Sequence, residues 1–218
     1  MRAFFLFLLV FPLFLRAQDS VPPREAFVPA ITIKSNVLPF ISPIKAAANI
    51  STDIRLARRF TVDLGAGWFI PNIYGSKFKG ETFEGLRLRT GAKYIFTNFK
   101  DGSASLGLLG KYNDIRDTEY RNVVRQGGQY VEQLLVTRNL KTKGIGIHIG
   151  LQFYSGKRNR LVIESFGGFG MLHTQITDNM PADAERTFSE WTFNLDRDPG
   201  TYRSLDIFCG MHIGIALW

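Results

Sequence analysis

The chain has 218 residues, 45% hydrophobic, 13% aromatic and 21% charged, with a formal net charge of +8. That is room for one domain and too apolar for disorder, and a single cysteine excludes a disulfide framework or a cysteine-cluster zinc site. No run reaches the roughly 18–20 consecutive apolar residues of a membrane-spanning helix, and 19 Phe beside 21 Gly is an unusual pairing for a helical protein.

The first element is an export signal. Met1-Arg2 is followed by an apolar run from Ala3 to Leu15, closed by Arg16-Ala17-Gln18. A charged start, a short apolar core and a small residue at the cut predict a secretory signal peptide over 1–17. No Cys follows it, so it does not read as a lipoprotein signal. Cleavage lowers the net charge to about +6 by removing Arg2 and Arg16. A periplasmic segment is then expected over 18–28 and a barrel over 29–218.

From there the chain reads with a period of two. In Ala48–Leu56 the even positions are Ala48, Ile50, Thr52, Ile54 and Leu56, against Asn49, Ser51, Asp53 and Arg55. Phe60–Phe69 sets Phe60, Val62, Leu64, Ala66 and Trp68 against Thr61, Asp63, Gly65 and Gly67. Leu86–Phe96 sets Leu86, Leu88, Ala92 and Tyr94 against Arg87, Arg89, Gly91 and Lys93. Ala104–Tyr112, Ile145–Phe153 and Leu205–Leu217 repeat the pattern, while Ile31–Leu38 and Leu161–Leu172 are weaker. The prediction is about eight strands of about 9–12 residues, a length that crosses a bilayer when tilted.

A soluble β-sandwich and a membrane barrel both alternate, but they place the apolar face oppositely. Here the other face carries glycines and both signs of charge, which suits a narrow barrel interior better than a solvated sheet. The expected interior network is Asp53, Arg55, Asp63, Arg87, Arg89, Lys93, Lys111, His148, Glu164, Asp206 and His212. Short connections at 57–59, 97–102 and 155–159 alternate with long ones at 70–85, 113–143 and 173–202, the rhythm of outer-membrane barrels. Trp218 ends the last strand with an aromatic residue. Trp68, Phe69, Tyr94, Phe96, Tyr112, Phe153 and Tyr154 suit interfacial girdles. The fold expected is all-β: an antiparallel up-and-down transmembrane barrel of about eight strands, both termini periplasmic.

The stretch Ile33-Lys34-Ser35-Asn36-Val37-Leu38, with Asn49-Ile50 and Arg59-Phe60-Thr61-Val62 after it, resembles a functionally uncharacterised family of small outer-membrane barrels from Bacteroidetes-type bacteria. The family pattern is Ile-Lys-Thr-Asn-x-Leu, then Asn-(Ile/Leu)-Gly-x-Glu; Ser51 and Asp53 stand in the Gly and Glu places. The resemblance implies an outer-membrane location and brings no catalytic residues.

Chemistry is sparse. The histidines His148, His173 and His212 form no His-x-x-x-His or His-Glu pair, so no metal and no cofactor is implied. Lipid A deacylases resemble this chain in size, but no histidine here has a serine two positions on to serve as a nucleophile. The basic residues, at a pI near 9.7, are scattered, and an envelope address points to lipopolysaccharide phosphates rather than nucleic acid. The segment Tyr112–Lys143 holds strand-like runs on both sides of Gly127-Gly128 and predicts a long outer hairpin. Tyr120, Val123, Tyr130 and Leu134 there, with Phe188, Trp191 and Phe193 in the next long segment, are the expected partner contacts. The function expected is a non-enzymatic binding protein or accessory subunit, in contact with outer-membrane lipid and another envelope protein. A narrow channel and a lipid-modifying enzyme are the alternatives.

Overall fold

The computed structural model describes residues 29–36, 47–69, 81–99, 101–155, 160–181, 183–186 and 198–217. Residues 1–28, where the signal peptide and periplasmic segment are expected, and Phe188, Trp191, Phe193 and Trp218 lie outside the described residues. The strands are β1 (Ile31–Asn36), β2 (Ala47–Ala57), β3 (Phe60–Phe69), β4 (Thr82–Phe99), β5 (Gly102–Arg125), β6 (Tyr130–Ser155), β7 (Leu161–Asp178), β8 (Ala184–Arg186) and β9 (Gly200–Leu217). Each pairs antiparallel with its neighbour in sequence from β1 to β7; β9 pairs with β7 and with β1. The eight long strands therefore close into a ring, and β8 is a three-residue addition on β5. Closure matters because it leaves no open edge of backbone donors and acceptors.

The alternation is realised as the sequence predicts. Apolar side chains point outward: Ile207 is 73% exposed and Leu205 68%. Lys34, Asp53, Asp63, Lys93, His148, Glu164 and His212 are buried inside the ring. Two register shifts, between Arg55 and Ala57 and between Ile95 and Thr97, sit at the end of the barrel with the short turns. Bulges of this kind add local twist at a barrel rim.

Two expectations are corrected. The strands are longer than 9–12 residues at one end: β4, β7 and β9 have 18 residues, β5 has 24 and β6 has 26. Above the apolar band the outward face turns polar while the inward face carries Ile115, Leu140, Val136 and Ile176, so the period-two contrast no longer reads as apolar-out, yet the β5–β6 hydrogen-bond ladder runs on to Arg125↔Tyr130. The supposed long loop of 113–143 is therefore strand up to the four-residue turn 126–129, where Gln126, Gly127 and Gly128 have positive φ. Phe69 and Tyr154, expected in outer girdles, are buried inward. Phe69 packs with Ala47, Ile115, Leu140 and Ile176 into an apolar layer under the long-connection end. Tyr154 packs with Val162 and Ala216 into a second layer at the short-turn end. Trp68, Tyr94 and Phe96 do face outward.

Candidate functional site

Between these two apolar layers the interior is polar. Register creates its first problem: Asp53 of β2 stands directly opposite Asp63 of β3. Like charges in that position repel. Lys93 of β4 resolves it, with Nζ 3.1 Å from Asp53 and 3.7 Å from Asp63. Lys34 of β1 reaches Asp53 at 2.6 Å from the other side. Glu164 of β7 then ties the walls together, 2.5 Å from Lys34 and 2.6 Å from Lys93. Its Oε2 also lies 2.9 Å from His212 Nδ1 on β9. This plug is almost dry: the Lys34 side chain is 0% exposed and that of Asp63 is 0%. Buried charges are tolerable here because each meets several partners of opposite sign.

Above the plug lies a cavity of about 420 Å³ with a different charge balance. Arg87, Arg89 and Lys111 line it, and Asp206 is the one carboxylate among its lining residues. Lys111 binds Asp206 at 2.5 Å, and Arg89 binds Asp63 at 2.7 Å. Each cation also lies on an aromatic face: Arg87 on Phe69, Arg89 on Phe166 and Lys111 on Phe208. Such contacts hold cations where water is scarce. Asn36 and Asn49 complete the polar wall.

Glycines make room for this interior. A Cβ on Gly107 would lie 2.2 Å from the His148 ring, so the imidazole lies across the glycine of the next strand. On its other side, a Cβ on Gly168 would lie 2.1 Å from the Ile147 carbonyl oxygen. His148 is buried edge-on to Phe166, and neither ring nitrogen has a hydrogen-bond partner among the described residues.

The second candidate region is the hairpin. β4 last pairs β5 at Thr82↔Thr118, and β7 last pairs β6 at Arg138↔Asp178. The β5–β6 ladder continues seven rungs further to Arg125↔Tyr130. At about 3.3 Å per residue, the hairpin runs roughly 23 Å along its strands beyond the last β4 and β7 pairings, flanked near its tip by β8. Arg125 fixes its tip to β8's flank, 3.0 Å from Glu132 and 2.9 Å from Asp183. The hydrogen bond that Arg125 donates to the Asp183 carboxylate raises the Arg125 pKa above its ordinary value. Tyr120, Tyr130, Val131 and Leu135 are exposed on the hairpin. Val123, expected as a contact, is buried and pairs in register with Arg186 of β8, so it is packed within the chain. Leu134 is half-buried.

Residues 3–197 match the family described as "Protein of unknown function (DUF3575)". The chain belongs to that family. Searches of curated proteins and of solved structures found no match.

Within this family member, the interior gathers most of the residues expected there. Asp53, Asp63, Lys93, Glu164 and His212 meet in the plug, and Arg87, Arg89, Lys111 and Asp206 line the cavity. Arg55 is displaced to the short-turn end, where it donates to the carbonyls of Ala57 and Arg58. The sequence reading missed Lys34, the centre of the plug. Its signal was available: Lys34 alternates with Ile33, a phase that puts it inward. Phe166 and Phe208, which the sequence reading does not name, share the inward phase of Glu164 and Asp206. Among the described residues no cluster of three His, Cys, Asp or Glu is placed to hold a metal.

Proposed function

We propose that this chain is a bacterial outer-membrane β-barrel of non-enzymatic function, which displays the β5–β6 hairpin outside the cell as a docking element for another envelope protein. The protruding hairpin carries the reading: seven rungs of strand pairing with exposed Tyr120, Tyr130 and Leu135 serve no purpose in closing the barrel. The membrane location is supported by the outward face. Along β9 it runs Leu205, Ile207, Cys209, Met211, Ile213, Ile215 and Leu217, and the facing positions of β7 and β6 hold no charge either. At an ordinary barrel tilt, twelve residue steps along β9 span roughly 30 Å, the height of a bilayer core. The opening motif Ile33–Leu38 and its likeness to Bacteroidetes-type barrels agree with that location. The dry plug argues for an anchor rather than a channel, since ions would have to break bonds to Lys34, Lys93 and Glu164 to pass.

Two measurements test this reading. The full chain should insert into phosphatidylcholine vesicles and migrate differently on gels before and after boiling, with no steady conductance in planar bilayers. A photo-crosslinking residue in place of Tyr130 should yield one discrete adduct in native cells, absent from the same residue in place of Leu106. Regular conductance steps would replace the docking reading with the channel. No adduct at Tyr130, Tyr120 or Leu135 would end it.

A further inference from the structure

The strand register assembles a group of basic residues that the sequence keeps far apart. Lys143 of β6 faces His173 of β7, and His173 faces Arg203 of β9. The three stand in one rung across three strands, on the outward face, and all are exposed. With adjacent strands about 4.8 Å apart, their stems lie within roughly 10 Å. None of the three makes an ion pair or a side-chain hydrogen bond among the described residues. The carboxylate closest in register is Asp114, one rung further out, and it faces Lys141 at 4.0 Å. Aligned basic groups without a counter-charge are an unfavourable arrangement for the chain alone.

The rung directly below explains the place. Ile145, Met171 and Leu205 occupy the same three strands and are 60%, 61% and 68% exposed. The change from apolar to basic occurs in a single step along all three strands. Lys and Arg stems lie along apolar surface while their heads reach toward anions, and Arg offers a phosphate two parallel donors.

We infer that Lys143, His173 and Arg203 form a binding site for the phosphate of an anionic lipid headgroup in the outer leaflet, with Ile145, Met171 and Leu205 seating its acyl chains. This inference rests on the membrane reading above. Its test uses the full chain in phosphatidylcholine vesicles, with and without bisphosphorylated lipid A or the same lipid dephosphorylated. Lipid retained after mild detergent extraction is read by native mass spectrometry. The wild type is expected to retain the phosphorylated lipid about tenfold over the dephosphorylated one, since each basic residue near a membrane surface contributes to such a preference. The variant K143Q/H173Q/R203Q should lose that preference, K143Q alone should lose part of it, and R58Q/R59Q at the opposite end should keep it. Equal retention of both lipids by the wild type overturns the site, as does an undiminished preference in the triple variant. Failure to insert into pure phosphatidylcholine, which needs no phosphate site, overturns the membrane reading instead.

Discussion

Inside the barrel, Asp53 and Asp63 face each other across β2 and β3, and Lys93 sits between them. On the outer rim, Lys143, His173 and Arg203 share a rung, and no carboxylate of the described chain sits between them. Both are groups of one chemical kind, acidic inside and basic outside, set side by side by the same kind of register. The difference lies in what surrounds them. The plug is sealed from water, so its charges must be neutralised by the chain or the fold fails. The rim is exposed, so its charges cost little and remain free for a ligand. Inside, opposite charges are tied to one another; outside, on the inference above, the basic groups serve recognition.

That contrast predicts a steep gradient of mutational effects. Glu164→Gln should be the most damaging change, because it strips Lys34 and Lys93 of a shared carboxylate while leaving both buried. A loss of about 3–5 kcal/mol is expected, measured as the urea midpoint of the vesicle-inserted protein. A shift no larger than that of a surface substitution would mean that the plug is hydrated.

Gly107→Ala comes next. The three atoms nearest its new methyl group all belong to the His148 ring, so His148→Ala should relieve the collision, with a coupling of about 0.5–3 kcal/mol in a double-mutant cycle. Gly168→Ala is the control, since there the obstacle is the Ile147 carbonyl and no side-chain truncation removes it. If His148→Ala rescues both glycine variants equally, the close approach is not the cause.

The hairpin should matter less to stability. Replacing residues 119–136 by a short turn removes the buried Val123 and Val136 but leaves the plug intact, so it should lower the unfolding midpoint of the barrel by less than Glu164→Gln does, while abolishing the crosslinked adduct. Global unfolding of that variant would make the hairpin a structural element. Smallest of all is the rim: Lys143→Gln in neutral lipid should change stability by no more than about 0.5 kcal/mol, in the stabilising direction, because it removes one charge from a like-charged rung. A large loss there would reveal an internal partner for Lys143.

The sequence by itself determined the class of fold. Period-two alternation with glycine and mixed charge on one face is a local property of each strand, and it assigned Asp63, Lys93, Glu164 and His212 to the interior and Ile147, Ile207 and Ile213 to the outside. Gly127-Gly128 likewise marked the hairpin turn, because positive φ is a local demand. Alternation tells which face a side chain is on, but not which neighbours it meets. Those depend on how far each strand is offset when the ring closes, a quantity that no single strand carries. Only the tertiary structure therefore decided that Lys34 joins Asp53 to Glu164, that Phe69 packs with Ile115 and Tyr154 with Val162 in apolar layers, that Val123 is covered, and that Lys143, His173 and Arg203 meet on one rung.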